Sequence, residues 1–172
     1  HGDAGDGWHQ HPTQGLLDAY TVTREFGQHD SLNGRTIAIV GDIKHSRVAR
    51  SNIDLFTRLG AKVVIVAPPT LLPSHVESWP VEVRSSIDDV IDNVDVLYLL
   101  RMQMERMEAA AIPKLADYTK MYALTPERAA ALQSHALVMH PGPMNRGVEI
   151  TVDPADVPGS RILTQVANGV SV

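Results

Sequence analysis

Three short runs of aliphatic, mostly β-branched residues constrain the architecture most. Thr36-Ile37-Ala38-Ile39-Val40, Lys62-Val63-Val64-Ile65-Val66-Ala67 and the stretch from Val94 to Leu100 are nearly continuous in apolar character. A strand with one wet face alternates apolar and polar residues, so a continuous run is covered on both faces. Between the first two runs the period changes. Ala49, Ile53 and Phe56 fall at i, i+4 and i+7 from Ser46 to Leu59, and Gly60 stands where a helix would be capped. Strands alternating with helices imply a mostly parallel sheet with helices on both faces. The expected class is α/β: a doubly wound three-layer αβα fold of Rossmann-like type.

Weaker signals complete the pattern. Pro12 to Phe26 is expected to be a helix whose apolar side carries Leu16, Leu17, Tyr20 and Val22. Pro68-Pro69 ends the second strand, and a short strand is expected at Val81-Glu82-Val83. Ser85 to Val90 has a helix-start pattern, and Gln103 to Ile112 is a loop or short helix. Thr125-Pro126-Glu127-Arg128 opens another helix, Ala136 to Met139 is a fourth strand, and a last helical segment is expected over Ser160 to Val166. No repeat is visible, and no linker is long enough to divide the chain.

Composition excludes several classes. With 172 residues, 44% of them hydrophobic and 20% charged, the chain can bury a core of its own. A net charge of -5 argues against a nucleic-acid or anionic-membrane partner. The absence of cysteine removes disulfides, thiolate zinc sites and a cysteine nucleophile, and fits a reducing, cytoplasmic compartment. No stretch has the roughly 18 uncharged apolar residues of a membrane span. His1, His9 and His11 have no acid at ligand spacing, so no metal is expected. Gly41-Asp42 follows a strand, but Ile43, Lys44 and His45 replace a dinucleotide-binding glycine fingerprint, so no cofactor is expected.

Ligands of such sheets bind at the carboxyl ends of the strands. Arg47 lies just past the first strand and Arg101 just past the third, on the same rim. Two guanidinium forks there suit a ligand with two carboxylates. The alternative for either arginine is a surface ion pair, with Asp42 or Glu105. His11 precedes the first helix and Gln14 lies one turn on. The pair could contact a carbonyl and an amide, or be exposed polar residues of an N-terminal turn. His140-Pro141-Gly142-Pro143 is a stiff loop whose carbonyls could accept from an amide or could simply turn the chain.

Together these segments resemble the aspartate carbamoyltransferases. The segments are His11-Pro12-Thr13-Gln14, Gly41-Asp42-Ile43-Lys44-His45-Ser46-Arg47-Val48, Leu100-Arg101-Met102-Gln103-Met104-Glu105-Arg106, His140-Pro141-Gly142-Pro143 with Arg146-Gly147-Val148-Glu149-Ile150, and Gln165-Val166-Ala167-Asn168-Gly169-Val170. They occur in family order over nearly the whole chain. The related ornithine enzymes carry a cysteine in the proline loop and a Ser-Met-Gly motif. This chain has neither and keeps Arg101-x-Gln103.

The resemblance implies transfer of the carbamoyl group of carbamoyl phosphate to the amine of L-aspartate, in pyrimidine biosynthesis. It implies His11 on the carbamoyl oxygen and Gln14 on its nitrogen. Arg47, Arg101 and Gln103 would lie on aspartate, and the carbonyls of Pro141 and Gly142 on the carbamoyl NH₂. It divides the chain into an interdomain loop and helix, 1–27, and an aspartate-binding domain, 28–172. The family's carbamoyl-phosphate domain with its Ser-Thr-Arg-Thr-Arg loop, its basic loop and its final helix have no counterpart here. The opening run His1–Gly7 and the closing Asn168–Val172 have the look of points where a longer protein continues. Inactivity of this chain alone is therefore expected, as is a homotrimer in the complete enzyme, with regulatory or dihydroorotase chains as further partners. Leu16, Leu17 and Val22, with Ile162, Val166 and Val170 near the end, would lie partly bare where the missing domain packs. The alternatives are an ornithine-type or other amino-acid carbamoyltransferase, or a non-catalytic small-molecule binding domain.

Overall fold

The computed structural model describes residues 12–103, 115–141, 145–152 and 161–164. Six strands form one sheet: β1 (Thr36–Val40), β2 (Lys62–Val66), β3 (Glu82–Arg84), β4 (Val96–Leu99), β5 (Leu137–His140) and β6 (Arg161–Thr164). Their order is β3-β2-β1-β4-β5-β6, and every neighbouring pair is parallel. The helices are α1 (Pro12–Glu25), α2 (Arg47–Arg58), α3 (Leu115–Tyr122) and α4 (Pro126–Ala131). The chain winds outward from β1 through β2 to β3, then returns to β4 on β1's other side and winds out through β5 to β6. Crossovers between parallel strands are right-handed, so the two halves carry their connections on opposite faces. This is the doubly wound class the apolar runs imply, and its switch point lies between β1 and β4.

The central strands are buried because both faces are covered. Ile37 to Val40, Val63 to Val66, Val96 to Leu100 and Leu137 to Met139 are all buried. Local signals set the helix ends. Ser46 Oγ accepts the Ala49 N–H at 3.0 Å and caps α2, and Thr125 Oγ1 accepts the Arg128 N–H and caps α4, with Pro126 in its first turn. On α2 the stripe Ala49, Asn52, Ile53 and Phe56 is buried. α1 packs on it at Gly15 and Asp18, and its Ala19 and Val22 are buried in the core. A Cβ at Gly15 would lie 2.8 Å from Leu55 Cδ1 and 3.2 Å from Ser51 Cβ, so glycine permits this close approach.

The structure departs from the sequence expectations in five places. The segment expected as a helix over Ser160–Val166 contains β6 instead: Arg161 to Thr164 pairs in parallel with Leu137 to His140. The run Arg161-Ile162-Leu163-Thr164 is too short to set a helical period once a buried neighbour offers its ladder. The sheet therefore has six strands, one more than the four apolar runs and the short strand expected at Val81–Val83. Helix α3 was not foreseen. Val22, expected to lie partly bare, is fully buried against the core, while Leu16, Leu17 and Tyr20 are exposed. The start expected at Ser85–Val90 is a single 3₁₀ turn, Ile87–Asp89, capped by Ser86. No helix among the described residues is long and apolar enough to cross a membrane.

Candidate active site

A cavity of about 210 Å³ opens at the switch point, lined by the β1–α2 turn (Asp42, His45, Ser46, Arg47, Val48), the end of β4 (Leu100, Arg101, Gln103) and Pro141 after β5. Its size is below the roughly 300–1,000 Å³ of a drug-sized pocket, so it suits a small ligand. Of the residues singled out from sequence, Arg47, Arg101, Gln103 and Pro141 meet here. His11 and Gly142 lie outside the described residues. Gln14 falls in the first turn of α1, and its side chain is likewise outside what the structure describes.

The turn after β1 is shaped by two residues. Gly41 has φ +129, and a Cβ there would lie 3.1 Å from Leu100 Cβ and 3.3 Å from the Tyr118 hydroxyl. Only glycine lets β1 end this close to β4. The buried Asp42 carboxylate then accepts the backbone N–H of His45 at 3.1 Å and faces His45 Nδ1 at 3.0 Å. This closed turn delivers Ser46 to its capping position and Arg47 to the first position of α2. The positive end of the α2 dipole points toward the same rim, which adds to the field of both arginines.

The loop after β4 is held differently. The Arg101 and Gln103 side chains are exposed on the rim while Met102 is buried. The Met102 N–H donates to Glu149 Oε2 at 3.1 Å, and its carbonyl accepts from Asn145 Nδ2 at 2.7 Å. Glu149 is buried and also meets His140 Nε2 at 2.9 Å and the Asn145 backbone N–H at 2.9 Å. Beneath the site, burial pushes the Tyr118 phenol far above its ordinary range, with the charges of Glu149, Tyr122 and Asp42 adding to the effect. Sequence reading missed Asp42, Asn145 and Glu149 as site supports. The local hints are the Asp42–His45 and Asn145–Glu149 spacings, while the Glu149 bond to Met102 joins residues 47 apart. Among the described residues no cluster of histidine and acidic side chains could hold a metal.

Fold and cleft together define a doubly wound α/β domain with a small, arginine-bearing pocket at its switch point. More narrowly, the chain belongs to the aspartate/ornithine carbamoyltransferase family, whose Asp/Orn binding domain matches residues 33–172. It is 56% identical over 170 residues to an aspartate carbamoyltransferase catalytic subunit of Acidothermus cellulolyticus, covering 99% of this chain and 52% of that one. A relative of the same name from Parafrankia is 55% identical, covering 99% and 54%. The chain thus spans about half the length of these relatives. Among solved structures, aspartate transcarbamoylase from Trypanosoma cruzi in complex with carbamoyl phosphate superposes with TM-score 0.71 at 30% identity, over 87% of this chain and 49% of that chain. The catalytic subunit of the M. jannaschii enzyme gives 0.68 at 32%, over 87% and 50%. An ornithine carbamoyltransferase from Pyrococcus furiosus gives 0.70 at 26%, over 88% and 50%.

Proposed function

We propose that this chain supplies the aspartate-binding half of an aspartate carbamoyltransferase. The observation that carries the reading is the convergence of Arg47 and Arg101 on one small cavity at the switch point. Each guanidinium can take one carboxylate of aspartate, and Gln103 can donate or accept beside them. The same pair disfavours ornithine, whose side-chain ammonium would face Arg101.

Held this way, the amine of aspartate attacks the carbonyl carbon of carbamoyl phosphate. A C–N bond forms, the C–O bond to phosphate breaks, and the amine gives up a proton. His11 donates to the carbamoyl oxygen as negative charge grows there. Gln14 and the carbonyls of Pro141 and Gly142 orient the carbamoyl NH₂. No covalent intermediate is required, because orientation of two substrates and charge stabilisation carry the rate. The cations that receive phosphate come from residues outside these 172, in the carbamoyl-phosphate half. Leu16, Leu17 and Tyr20, exposed along α1, are the side we assign to that half. In the complete enzyme we expect a cytoplasmic homotrimer, with regulatory or dihydroorotase chains as further partners.

The test is titration of the ¹⁵N-labelled chain with L-aspartate, succinate and ornithine. Aspartate and succinate should shift the Arg47, Arg101 and Gln103 signals, ornithine should not, and Arg101→Ala should abolish the response. Carbamoyl transfer should require addition of a carbamoyl-phosphate half. An ornithine response equal to that of aspartate would overturn the substrate assignment.

A further inference from the structure

We infer that Glu149 is a positioning residue for the amino-acid site: its buried carboxylate sets where Arg101 and Gln103 stand relative to Pro141. The inference rests on the aspartate-site reading above. Glu149 is 2% exposed, and four donors converge on it. Oε1 meets His140 Nε2 and the Asn145 N–H, each at 2.9 Å. Oε2 accepts the Met102 N–H at 3.1 Å and Asn145 Nδ2 at 2.6 Å. Asn145 uses its other amide hydrogen on the Met102 carbonyl at 2.7 Å. The peptide groups on both sides of Met102 are therefore gripped, one through its N–H and one through its carbonyl. The residues flanking Met102, Arg101 and Gln103, line the cavity, and so does Pro141, which follows His140 directly.

One carboxylate thus joins the two loops that form one wall of the cavity. It is itself anchored, since the Leu124 N–H donates to the Glu149 carbonyl at 2.9 Å and the Glu149 N–H to the Asn145 carbonyl at 3.3 Å. Only an acceptor-only group satisfies this arrangement. A glutamine would turn its NH₂ toward the Met102 N–H in one orientation and toward the Asn145 N–H in the other. A buried donor left against a donor forfeits its bond and its hydration. An aspartate, one methylene shorter, cannot reach both loops from the same backbone.

The experiment compares the full chain with its Glu149→Gln and Asn145→Ala variants. Amide exchange is read at Met102 and in β1, and succinate affinity is read with denaturation midpoints as the control for folding. Both variants should speed exchange at Met102 by about a hundredfold while β1 stays protected. Succinate should bind about tenfold more weakly at temperatures where the variants remain folded. Asn145→Ala keeps the carboxylate, so it decides the matter if Glu149→Gln does not fold. Unchanged Met102 exchange overturns the clamp. Faster exchange with unaltered succinate affinity shows a structural residue only and overturns the positioning role. Failure of the unmodified chain to bind succinate removes the aspartate reading, and with it the positioning role, while the Met102 exchange still decides the clamp on its own.

Discussion

The Tyr98 hydroxyl donates to Asp18 Oδ2 at 2.6 Å, joining α1 to β4 across 80 residues of chain. Both residues are fully buried, and Asn52 Nδ2 donates to the same oxygen at 3.0 Å. The bond fixes α1, the helix that carries Gln14, to the central sheet. Tyr98→Phe should therefore destabilise the chain by about 1–3 kcal/mol, because a buried carboxylate loses a strong donor and gains nothing. The shift in urea midpoint measures it, and a midpoint within error of the unmodified chain would show that the pair contributes no net stability.

Tyr98 and Tyr118 also make an alkaline limit. Burial, helped by Asp18, holds the Tyr98 phenol well above its ordinary 10.0, and burial raises Tyr118 as well. Folded-state values that are raised give stability fully present below the unfolded value and lost as pH rises beyond it. The unfolded chain ionises these phenols near pH 10 and the folded chain does not. Each should lower stability by about 1.4 kcal/mol per pH unit above that point. Urea unfolding at rising pH, with tyrosinate absorbance followed in parallel, should show the Tyr98 and Tyr118 phenols ionising only on unfolding. Reversible titration of all the tyrosines without unfolding would contradict the burial argument.

The parts of this structure legible in sequence are those set by neighbours in the chain. The continuous apolar runs at Ile37–Val40 and Val63–Val66 announce covered strands, and Ser46 and Thr125 announce helix starts through their own side chains. Arg47 and Arg101 could be placed on one rim because strand ends in a parallel sheet point the same way. What depends on distant partners was not legible. Arg161–Thr164 is a strand only because β5 is beside it, and its four residues carry no period of their own. Asp18, Asn145 and Glu149 look like ordinary surface polar residues until Tyr98, Met102 and His140 are brought against them. Val22 was misplaced for the same reason, since which side of α1 faces α2 depends on the gap at Gly15.

Arg128 and Asp88 should respond very unequally to mutation. The Arg128 guanidinium is nearly buried and bonds Asp88 at 2.8 and 3.0 Å, the Ala123 carbonyl at 2.7 Å and the Lys120 carbonyl. It thereby supplies donors to the end of α3 and the turn into α4. Arg128→Met should cost about 2–4 kcal/mol, since two carbonyls and a carboxylate lose their donor. Asp88→Asn should cost well under half of that, because the Asp88 side chain is 62% exposed and the arginine keeps both carbonyls. The Arg128 hydrogen bond holds the Asp88 carboxyl below its ordinary value. Its contribution is therefore present above pH 4 or so and is lost as pH falls through the depressed value. Equal losses for the two variants would mean that the ion pair, not the carbonyl contacts, dominates.

Gly41 and Gly27 separate backbone strain from damage to the site. Both have positive φ, +68 at Gly27 and +129 at Gly41, but only Gly41 is crowded. Nothing lies within 4 Å of a Cβ built on Gly27, whereas one on Gly41 meets Leu100 and Tyr118. Gly27→Ala should cost about 1–2 kcal/mol through conformation alone, since φ near +60 is a left-handed well that alanine can enter. Gly41→Ala faces a backbone region that is essentially reserved for glycine, and it must also push β1's end away from Leu100. That displacement moves the turn carrying Arg47 relative to the loop carrying Arg101, which changes the spacing of the two guanidinium groups. Gly41→Ala should then lower stability more than Gly27→Ala and weaken succinate binding as well, with Gly27→Ala leaving binding unchanged. Denaturation midpoints and succinate titrations on the two variants check this together. Equal binding by both would mean that the cavity tolerates a change in arginine spacing, and that the close contact between β1 and β4 matters for folding alone.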